Sequence, residues 1–394
     1  MISIPEEFLM QDAYYKRKVC YCCEKEYAEP HAFYKEMCPA CGEYNWQKRN
    51  QKIALQGYRA LVTGGRIKIG FEIARLLLEM GADVTVTSRF PQDTYKRYAA
   101  LDGFESFKKR FHIIGVDFRH LPSVSKFIKE IKKQPLDILI NNAAQTVRKP
   151  APFYKHLMNE EKNAPLIENI ITNNAEKESS LVPVSKLSFL PALNFNLNSA
   201  EMSQVALLPE DLHDDESIFP AGQYDKDGQQ LDLRSHNSWM YELEEISLIE
   251  LYEVLHINLI TPFLLNTKLL PSLTQNGRNA FIINVSAMEG NFFAPRKHSR
   301  HAHTNMAKAA LNMMTRTAAA HYKDYGVLMN SVDTGWITNE KPNPQNLNAA
   351  ERKTVMAIDE VDGAMRVLDP VIRAIRDDEK DYGKLFKNYR EYPW

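Results

Sequence analysis

Neither sign of charge is in excess in this 394-residue chain, because 49 Lys and Arg residues stand against 50 Asp and Glu residues. We therefore expect neither nucleic acid nor a membrane surface as a partner, since binding by charge alone needs a basic surplus. Long apolar runs are also missing, and none approaches the length of about 18 residues typical of a membrane-spanning helix. Residues 1–7 have no basic flank before an apolar core, which argues against a signal peptide.

Cysteine is absent except between Cys20 and Cys41, where all five cysteines lie. Such a cluster favours a metal site in a reducing compartment over a disulfide framework, so we predict a cytoplasmic protein. The cysteines form two CxxC pairs, and each pair can present two thiolates from a tight turn. Two pairs this close together disfavour the alternative of a redox dithiol. The four predicted ligands of a structural Zn²⁺ ion are Cys20, Cys23, Cys38 and Cys41.

Cys22 is the open point in this assignment, because it could replace Cys20 or Cys23 as a ligand or remain free. A site with four thiolates is closed, so the zinc should be structural and not catalytic. We assign the site to a small module of residues 1–52. Its aromatic residues are expected to pack against the main domain, and a surface for a protein partner is the second interpretation.

A glycine turn between a strand and a helix predicts a nucleotide site in residues 59–70. Residues 60–62 are a short apolar run typical of a buried parallel strand. The run breaks at Gly64 and Gly65, and a helical pattern follows through Ile69 and Ile73. In this order, the turn's backbone N–H groups and the positive end of the helix dipole face an incoming anion.

Strands and helices alternate after this turn, which predicts an α/β fold with a doubly wound parallel sheet of the Rossmann type. Ser247 and Glu250 predict a capping box that starts a helix running through Asn258. Further strands are predicted at residues 83–88, 112–117, 136–142, 279–286 and 327–332, and further helices at 305–322 and 361–375.

Regular patterns stop in residues 147–245, a long insertion after the fourth strand. A loop of this length is normally functional or disordered, so we expect it to face the substrate or a protein partner. The chain is thus divided into a zinc module, residues 1–52, and a Rossmann-type domain, residues 53–394, that contains the insertion.

Several motifs together make residues 55–390 resemble the short-chain dehydrogenase/reductase superfamily. Thr63-Gly-Gly-Arg-Ile-Lys-Ile-Gly70 resembles its TGxxxGxG coenzyme loop, and Asn141-Asn-Ala-Ala144 resembles NNAG. Ser286 ends the fifth strand and Lys308 follows in a helix. The resemblance implies an NADP(H)-dependent oxidoreductase that acts on a carbonyl or alcohol of a small molecule and forms a homo-oligomer. The coenzyme-binding residues that it implies are Thr63, Gly64, Gly65, Arg66, Lys68, Ile69, Gly70, Arg89, Asp117, Asn142, Ala143, Lys308 and Gly335.

A preference for NADP(H) is predicted from Arg89, which follows the second strand of the domain. An acidic residue there would bind the ribose 2′-hydroxyl of NAD, whereas a guanidinium grips a 2′-phosphate. Arg66 and Lys68 add positive charge in the neighbouring glycine loop. Lys68 replaces the second motif glycine, and the pteridine reductases of the same superfamily carry a basic residue there too.

The main departure from the family is that Thr304 stands where the YxxxK motif places its tyrosine, four residues before Lys308. No tyrosine occurs between Ser286 and Lys308, and a threonine hydroxyl does not ionise in the range that general acid catalysis needs. Further departures are Thr334-Gly335, where the family has Pro-Gly, and Thr338, which comes one residue early.

Two functions follow from these residues. In the first, the chain is an oxidoreductase in which Ser286 orients the substrate, Lys308 binds the nicotinamide ribose and Asn258 holds a relay water. His301 is the first candidate for the proton donor, because a helix that begins early enough would align it with Thr304 and Lys308. The next candidates are Tyr154, Tyr224 and Tyr241.

The competing interpretation of His301 is a solvated basic loop that it would share with His298, His303, Arg296, Lys297 and Arg300. In the second function, the chain binds NADP(H) without hydride chemistry, as a sensor or scaffold protein. Asn258, Ser286 and Lys308 in one register favour the enzyme.

Overall fold

A nine-stranded, mostly parallel sheet forms the centre of the structure, a computed structural model that describes residues 18–163, 167–171, 197–294, 297–338, 340–342 and 356–394. Two short strands, β1 (Lys18–Val19) and β2 (Glu26–Tyr27), form a separate hairpin before it. The central strands lie in the order β11-β10-β9-β8-β6-β3-β4-β5-β7, and only β10 and β11 pair antiparallel. They are β3 (Arg59–Val62), β4 (Asp83–Ser88), β5 (Phe111–Gly115), β6 (Ile138–Asn141), β7 (Ile170–Ile171), β8 (Ala280–Ser286), β9 (Val327–Asp333), β10 (Leu385–Lys387) and β11 (Arg390–Tyr392).

Helices cover both faces of this sheet. They are α1 (Pro39–Arg49), α2 (Lys68–Glu79), α3 (Pro91–Ala99), α4 (Phe104–Phe107), α5 (Leu121–Ile131), α6 (Lys155–Asn163), α7 (Ser199–Met202), α8 (Leu248–Leu255), α9 (Thr261–Leu273), α10 (Ala302–Asp324) and α11 (Glu360–Arg376). Side chains alternate along each strand, so Ala60 and Val62 face the apolar cluster under α2 and α11, while Leu61 faces the one under α5, α9 and α10. The doubly wound α/β fold predicted from the sequence is confirmed.

Several elements differ from the sequence prediction. The third and fourth predicted strands correspond to β5 and β6, which are shorter than predicted. They end before Asp117 and Asn142, which therefore lie in the following loops. The aromatic tail forms β10 and β11. The helix through Asn258 contains a π turn, His256–Ile260, between α8 and α9. Half of the predicted capping box forms, since the Ser247 side chain accepts from the Glu250 N–H at 3.1 Å.

The described parts of the insertion are more regular than expected. They contain α6, α7 and the edge strand β7, which pairs with β5 through Ile113 and Ile114. A separate apolar cluster forms around Phe153, Tyr154 and Phe219 and includes Phe90 from the segment after β4. The boundary between residues 52 and 53 stays a prediction.

The segment Leu248–Leu273 is, by length and composition, apolar enough to cross a membrane. This is weak support for a span, because 44% of its most apolar window is buried within the protein, as in many core helices.

Candidate functional site

The glycine turn joins β3 to α2 at the carboxyl edge of the sheet. Gly64 has φ +71°, and its N–H donates to the Thr87 hydroxyl at 3.1 Å. Gly70 must be glycine, because a Cβ there would overlap the Gly64 carbonyl oxygen. Lys68 has φ +54°, so it keeps the left-handed backbone that favours glycine although it carries a side chain. The turn therefore retains its shape despite the substitution.

A hydrogen-bonded network ties this turn to the end of β6. The Asn142 side-chain amide donates to the carbonyl oxygens of Thr63 and Gly64 at 3.0 and 3.2 Å. The Thr63 hydroxyl oxygen accepts from the N–H groups of Asn142 and Ala143, both at 3.0 Å. The chain reverses its direction of travel across the sheet between β3 and β6, where open α/β sheets bind ligands.

A cavity of about 380 Å³ opens at this point. Helix α2 points its amino end toward it with no side-chain cap and no acidic residue in its first turn, so the positive end of the dipole is free for an anion. Of the predicted coenzyme residues, those that line the cavity are Gly64, Arg66, Lys68, Ile69, Gly70, Arg89, Asp117, Asn142 and Ala143. Thr63, Gly65, Lys308 and Gly335 do not line it.

The cations around the cavity differ in how they are neutralised. Arg66 donates to Asp93 at 2.8 Å, and burial lowers the pKa of its guanidinium. The ammonium of Lys68 lies 3.9 Å from a Glu340 oxygen. Arg89 donates to the neutral Tyr154 hydroxyl at 2.7 Å and forms no ion pair with any described residue. Arg89 is thus the cation best placed to meet an added negative charge.

Asp117 lines the cavity, but both of its oxygens are engaged. The Arg119 guanidinium donates to them at 2.7 to 3.1 Å, and the Arg119 backbone N–H adds a bond at 2.9 Å. Burial alone would raise the pKa of Asp117, and the Arg119 charge holds it below the ordinary value. The carboxylate therefore primarily orders the loop after β5, a use that the sequence did not predict.

The predicted catalytic residues gather at the end of β8. The Ser286 hydroxyl donates to the Asn312 side-chain oxygen at 2.6 Å, and the Lys308 ammonium donates to the Val285 carbonyl at 2.7 Å. Burial lowers the pKa of Lys308 to about 8. Sequence analysis missed Asn312, although it lies four residues after Lys308 and so falls on the same face of α10 as Thr304. The Thr304 hydroxyl is buried and has no hydrogen-bond partner among the described residues.

His301 does not belong to the helix, and the predicted alignment with Thr304 and Lys308 is wrong. Helix α10 begins at Ala302, and His301 precedes it with a left-handed backbone of φ +45°. Its Nδ1–H donates to the Trp239 carbonyl at 3.0 Å, and its ring stacks on the Trp239 ring at a centroid distance of 4.0 Å. Burial lowers the pKa of His301.

The competing interpretation of a fully solvated basic loop is also wrong in part. His301 and His303 are buried, and only His298, Lys297 and Arg300 are exposed, while Arg296 lies outside the described residues. His303 Nε2 lies 3.8 Å from a Glu250 oxygen.

The alternative tyrosines lie in three different places. Tyr154 contacts Arg89 at the opposite end of the site, and Tyr224 is 47% exposed. Tyr241 is the one beside His301, because its carbonyl accepts from the His301 backbone N–H at 2.9 Å.

Asn258 and Gly335 make contacts that the sequence did not predict. The Asn258 side chain accepts from the Gln145 N–H at 2.8 Å and donates to the Gln145 carbonyl at 3.0 Å. Its amide therefore holds the loop after β6, and the relay water stays a prediction. Gly335 has φ +85°, and a Cβ there would overlap the Arg366 guanidinium and crowd the Tyr21 hydroxyl. It lies beside the cysteine module, outside the cavity.

The four predicted zinc ligands come together in the structure. The sulfur atoms of Cys20, Cys23, Cys38 and Cys41 all lie within 4.8 Å of one another, and those of Cys23 and Cys38 are 3.9 Å apart. A tetrahedral Zn²⁺ with bonds of about 2.3 Å needs sulfur atoms about 3.8 Å apart, so the thiols fit this ion. Cys22 turns away, because its sulfur contacts the Met37 sulfur and the Asn45 amide, and burial raises its pKa to about 11.

A buried cation lies near Cys22. Arg366 is 1% exposed and forms no ion pair with the described residues, and it interacts electrostatically with Cys22 and with Asp333. Four thiolates and one Zn²⁺ carry two net negative charges, which a nearby guanidinium would offset.

Comparison with known proteins gives two adjacent family matches. Residues 58–171 match the short chain dehydrogenase family, and residues 198–360 match the family described as enoyl-(acyl carrier protein) reductase. The chain is 29% identical over 388 residues to an uncharacterized protein of Acanthamoeba polyphaga mimivirus, covering 94% of this chain and 74% of that protein.

Other similarities are shorter or purely structural. A probable oxidoreductase of Streptomyces lividans is 38% identical over 91 residues, which span 23% of this chain and 29% of that protein. Among solved structures, the Pseudomonas aeruginosa RhlG/NADP active-site complex aligns with a TM-score of 0.51 at 18% identity, covering 84% of this chain and 95% of that one. That likeness shows the fold.

Proposed function

Because the chain belongs to the short-chain dehydrogenase/reductase superfamily, we propose that it is an NADP(H)-dependent oxidoreductase acting on a carbonyl or alcohol of a small molecule. The observation that carries the proposal is the cavity at the switch point of the sheet, where an uncapped helix end and Arg89 are both free for phosphate groups. The coenzyme supplies the hydride, and the chain's own residues bind and orient the reactants.

Three residues at the end of β8 and on α10 would position the substrate and the nicotinamide ribose. The Ser286 hydroxyl donates to Asn312, and it would turn this proton to a substrate carbonyl oxygen or accept a hydrogen bond from a substrate hydroxyl. Lys308 is buried behind it and would bind the nicotinamide ribose. Asn312 also donates to the Gly290 carbonyl at 3.1 Å, so it fixes the Ser286 hydroxyl from a rigid position. This support is of the kind that precise catalytic geometry requires.

The proton would come from outside the usual motif position, and His301 remains the first candidate. Its Nδ1–H is fixed on the Trp239 carbonyl, so in the imidazolium form the Nε2–H is the proton to donate. Burial lowers the pKa of His301 from its ordinary value of 6.5, so the imidazolium form becomes the main form only at a pH below that value. Reduction should accordingly accelerate as the pH falls through the range below 6.5.

Steady-state NADPH oxidation with a panel of carbonyl compounds tests this assignment. His301→Ala should slow reduction by about 10²- to 10⁴-fold with the coenzyme still bound, and Thr304→Ala should do much less. Tyr241→Phe is the matched comparison, since Tyr241 lies next to His301. An unchanged rate in His301→Ala, with a loss in Tyr241→Phe, would transfer the role to the tyrosine.

A second candidate function is an NADP(H)-binding sensor or scaffold protein without hydride chemistry. The observation that favours it is Thr304, whose buried hydroxyl stands in the tyrosine's place with no described partner. If broad carbonyl and imine screening gives no NADPH oxidation while NADPH binds, this second function holds.

Coenzyme preference rests on the contrast between Arg89 and Arg66. Arg89→Ala should weaken NADPH binding by about 10- to 100-fold, because a charge-assisted bond to the 2′-phosphate is lost, and should leave NADH binding nearly unchanged. Titration of both coenzymes by calorimetry measures this. Equal losses for both coenzymes, or tighter NADH binding in the wild type, would contradict the proposed preference.

We also propose that the four thiols hold a structural Zn²⁺ ion, supported by their spacing and by the charge of Arg366. All four coordination positions are protein ligands, so the ion would stabilise the module without meeting substrate.

A homo-oligomer is proposed from the exposed apolar residues of neighbouring helices. Leu248 and Phe263 flank the π turn, and Met306 and Met313 lie on α10, which contacts it. A second copy of the chain would bury them. Light scattering should show a dimer or larger species, and Phe263→Glu should shift it toward the monomer.

A further inference from the structure

We infer that the insertion is a coenzyme clamp in which Tyr154 positions Arg89 for a phosphate on the ribose 2′ position of an adenine nucleotide. This inference rests on the proposed dinucleotide binding and deepens it. It assigns the insertion to the coenzyme, whereas sequence analysis assigned it to a substrate or a partner.

Tyr154 holds the Arg89 side chain in two ways at once. Its hydroxyl accepts from Arg89 at 2.7 Å, and the Arg89 guanidinium lies 4.5 Å from the centroid of its ring. The ring itself is 6% exposed and packs against Phe90 with centroids 5.2 Å apart. An otherwise flexible cation is therefore fixed at the wall of the cavity before any ligand arrives.

The insertion also fixes the backbone that follows Arg89. The Ser199 hydroxyl donates to the Arg89 carbonyl at 2.8 Å. Glu161 accepts from the N–H groups of Gln92 and Asp93 at 3.0 and 3.1 Å, in the first turn of α3. The segment after β4 is thus held by three different elements of the insertion, which leaves it little freedom to move.

The direct partner of Arg89 distinguishes it from the other cations at this end. Arg66 shares Asp93 with Arg97, and Lys149 of the insertion shares Asp232 with Arg234, so both of these cations contact a carboxylate. Arg89 instead donates to the Tyr154 hydroxyl and acts on Asp117 only through its charge, so it keeps N–H donors for a ligand. A phosphate monoester, with two negative charges and three oxygens, is the ligand class that suits such a guanidinium.

Other residues of the insertion, besides Tyr154, also line the cavity. They include Lys149 and Gln229. The Gln229 oxygen lies 3.5 Å from Arg66, so the described part of the insertion reaches the glycine turn. The clamp therefore includes several residues of the insertion and not a single contact.

The competing explanation is that Tyr154 serves only to pack the apolar cluster of the insertion. Tyr154→Phe separates the two roles, because it retains the ring and removes the hydroxyl that Arg89 contacts. Tyr58→Phe is a matched control: the Arg278 guanidinium lies 3.8 Å from the Tyr58 ring centroid, at the opposite end of β3 from the cavity.

The experiment titrates wild type and both variants with NADPH, NADH, adenosine 2′-monophosphate and adenosine 5′-monophosphate by calorimetry. Tyr154→Phe should weaken NADPH and the 2′-monophosphate by about 3- to 10-fold, the size of one ordinary hydrogen bond, because Tyr154 acts on the phosphate only through Arg89. NADH, the 5′-monophosphate and the melting temperature should stay unchanged, and Tyr58→Phe should bind all four ligands like the wild type.

Two results would overturn the inference and are distinguishable. If the wild type binds NADPH and Tyr154→Phe binds it equally well, Tyr154 only packs and the clamp is wrong while the proposed function survives. If the wild type binds no dinucleotide, both the proposed function and the clamp fail. A uniform loss for all four ligands in Tyr154→Phe would also count against specific 2′-phosphate recognition.

Discussion

The cysteine module and the insertion are both additions to one parallel sheet, but they attach to it differently. The module rests on helix α11, where Arg49 donates to Asp359 and lies 2.9 Å from Asp362, and Lys48 donates to Asp369 at 2.6 Å. The insertion instead begins and ends at the carboxyl edge of the sheet and lines the cavity. The cysteine module therefore packs on a helix of the main domain, whereas the insertion contributes residues to the wall of the cavity.

Both additions use buried ion pairs, but these pairs connect to different parts of the molecule. At the module's contact, the side chains of Asp362 and Asp369 are 1% and 2% exposed, and that of Asp359 is 42% exposed. In the insertion, Arg148 meets Asp211 and Glu253 with all three side chains at most 4% exposed. Glu253 also pairs with Arg119, which holds Asp117 at the cavity. We therefore expect damage to the module to lower stability alone, and damage to the insertion to lower coenzyme binding as well.

The largest effect is expected from a substitution that removes one of the proposed zinc ligands. Cys38→Ser removes one of four thiolates, so zinc should be lost together with the fold of the module, at a cost on the order of 5 kcal/mol or more. Metal analysis and thermal unfolding measure the two losses.

Cys22→Ser is the control for Cys38→Ser, because Cys22 faces Met37 and Asn45. It should retain about one zinc per chain. Loss of zinc in this control would mean that Cys22 is a ligand, and intact zinc in Cys38→Ser would contradict the four-thiolate site. If Cys38→Ser lost NADPH affinity together with zinc, the module would also support coenzyme binding. The proposed difference between the module and the insertion would then be wrong.

The sequence predicted the coenzyme end of the molecule better than the reacting end. The glycine turn, Asn142 and the cysteine pairs follow from short sequence motifs, although the contacts of Asn142 with Thr63 span 79 residues. Lys68 also fits, since a single left-handed residue is tolerated at a turn.

The rest depends on contacts that no local pattern contains. Tyr154 meets Arg89 across 65 residues, and Gln145 meets Asn258 across 113. The start of α10 was misjudged because Trp239, from the insertion, stacks on His301 and holds it outside the helix. Asn312 had one usable signal in the sequence, its spacing of four residues from Lys308.

A smaller loss of stability is expected when the buried arginine of the insertion is removed. Arg148→Met would leave Asp211 buried without its cation, which typically costs about 3 to 5 kcal/mol, and would leave Glu253 paired with Arg119 alone. NADPH affinity should fall too, since Glu253 links this network to Asp117. Chemical denaturation and coenzyme titration test the two effects.

The control for Arg148→Met is Lys155→Met, which removes an exposed lysine that pairs with Asp214. It should change neither stability nor affinity measurably. If Arg148→Met lost stability yet bound NADPH like the wild type, the insertion would be a structural addition like the module.

The smallest effect concerns pH and Glu161, which holds the start of α3 beside Arg89. Burial raises the pKa of Glu161 to about 7, above its ordinary value of 4.5. The folded state thus binds this proton more tightly than the unfolded chain. The stability that it contributes is complete below pH 4.5 and is lost as the pH rises through about 7. Between those values the loss should be about 1 to 3 kcal/mol.

Glu161→Gln should remove this dependence, because an amide oxygen still accepts from Gln92 and Asp93 but carries no charge. Asp93 and Arg66 face the group and keep their own ion pair, so the comparison uses the difference between variant and wild type at each pH. Melting curves at pH 5, 6, 7 and 8 should converge at low pH and favour the variant at high pH. Glu160→Gln, next to it but exposed and paired with Lys96, should follow the wild type, because its charge is already solvated. Parallel curves for Glu161→Gln and the wild type would show that Glu161 is ionised throughout and holds α3 as an ordinary cap.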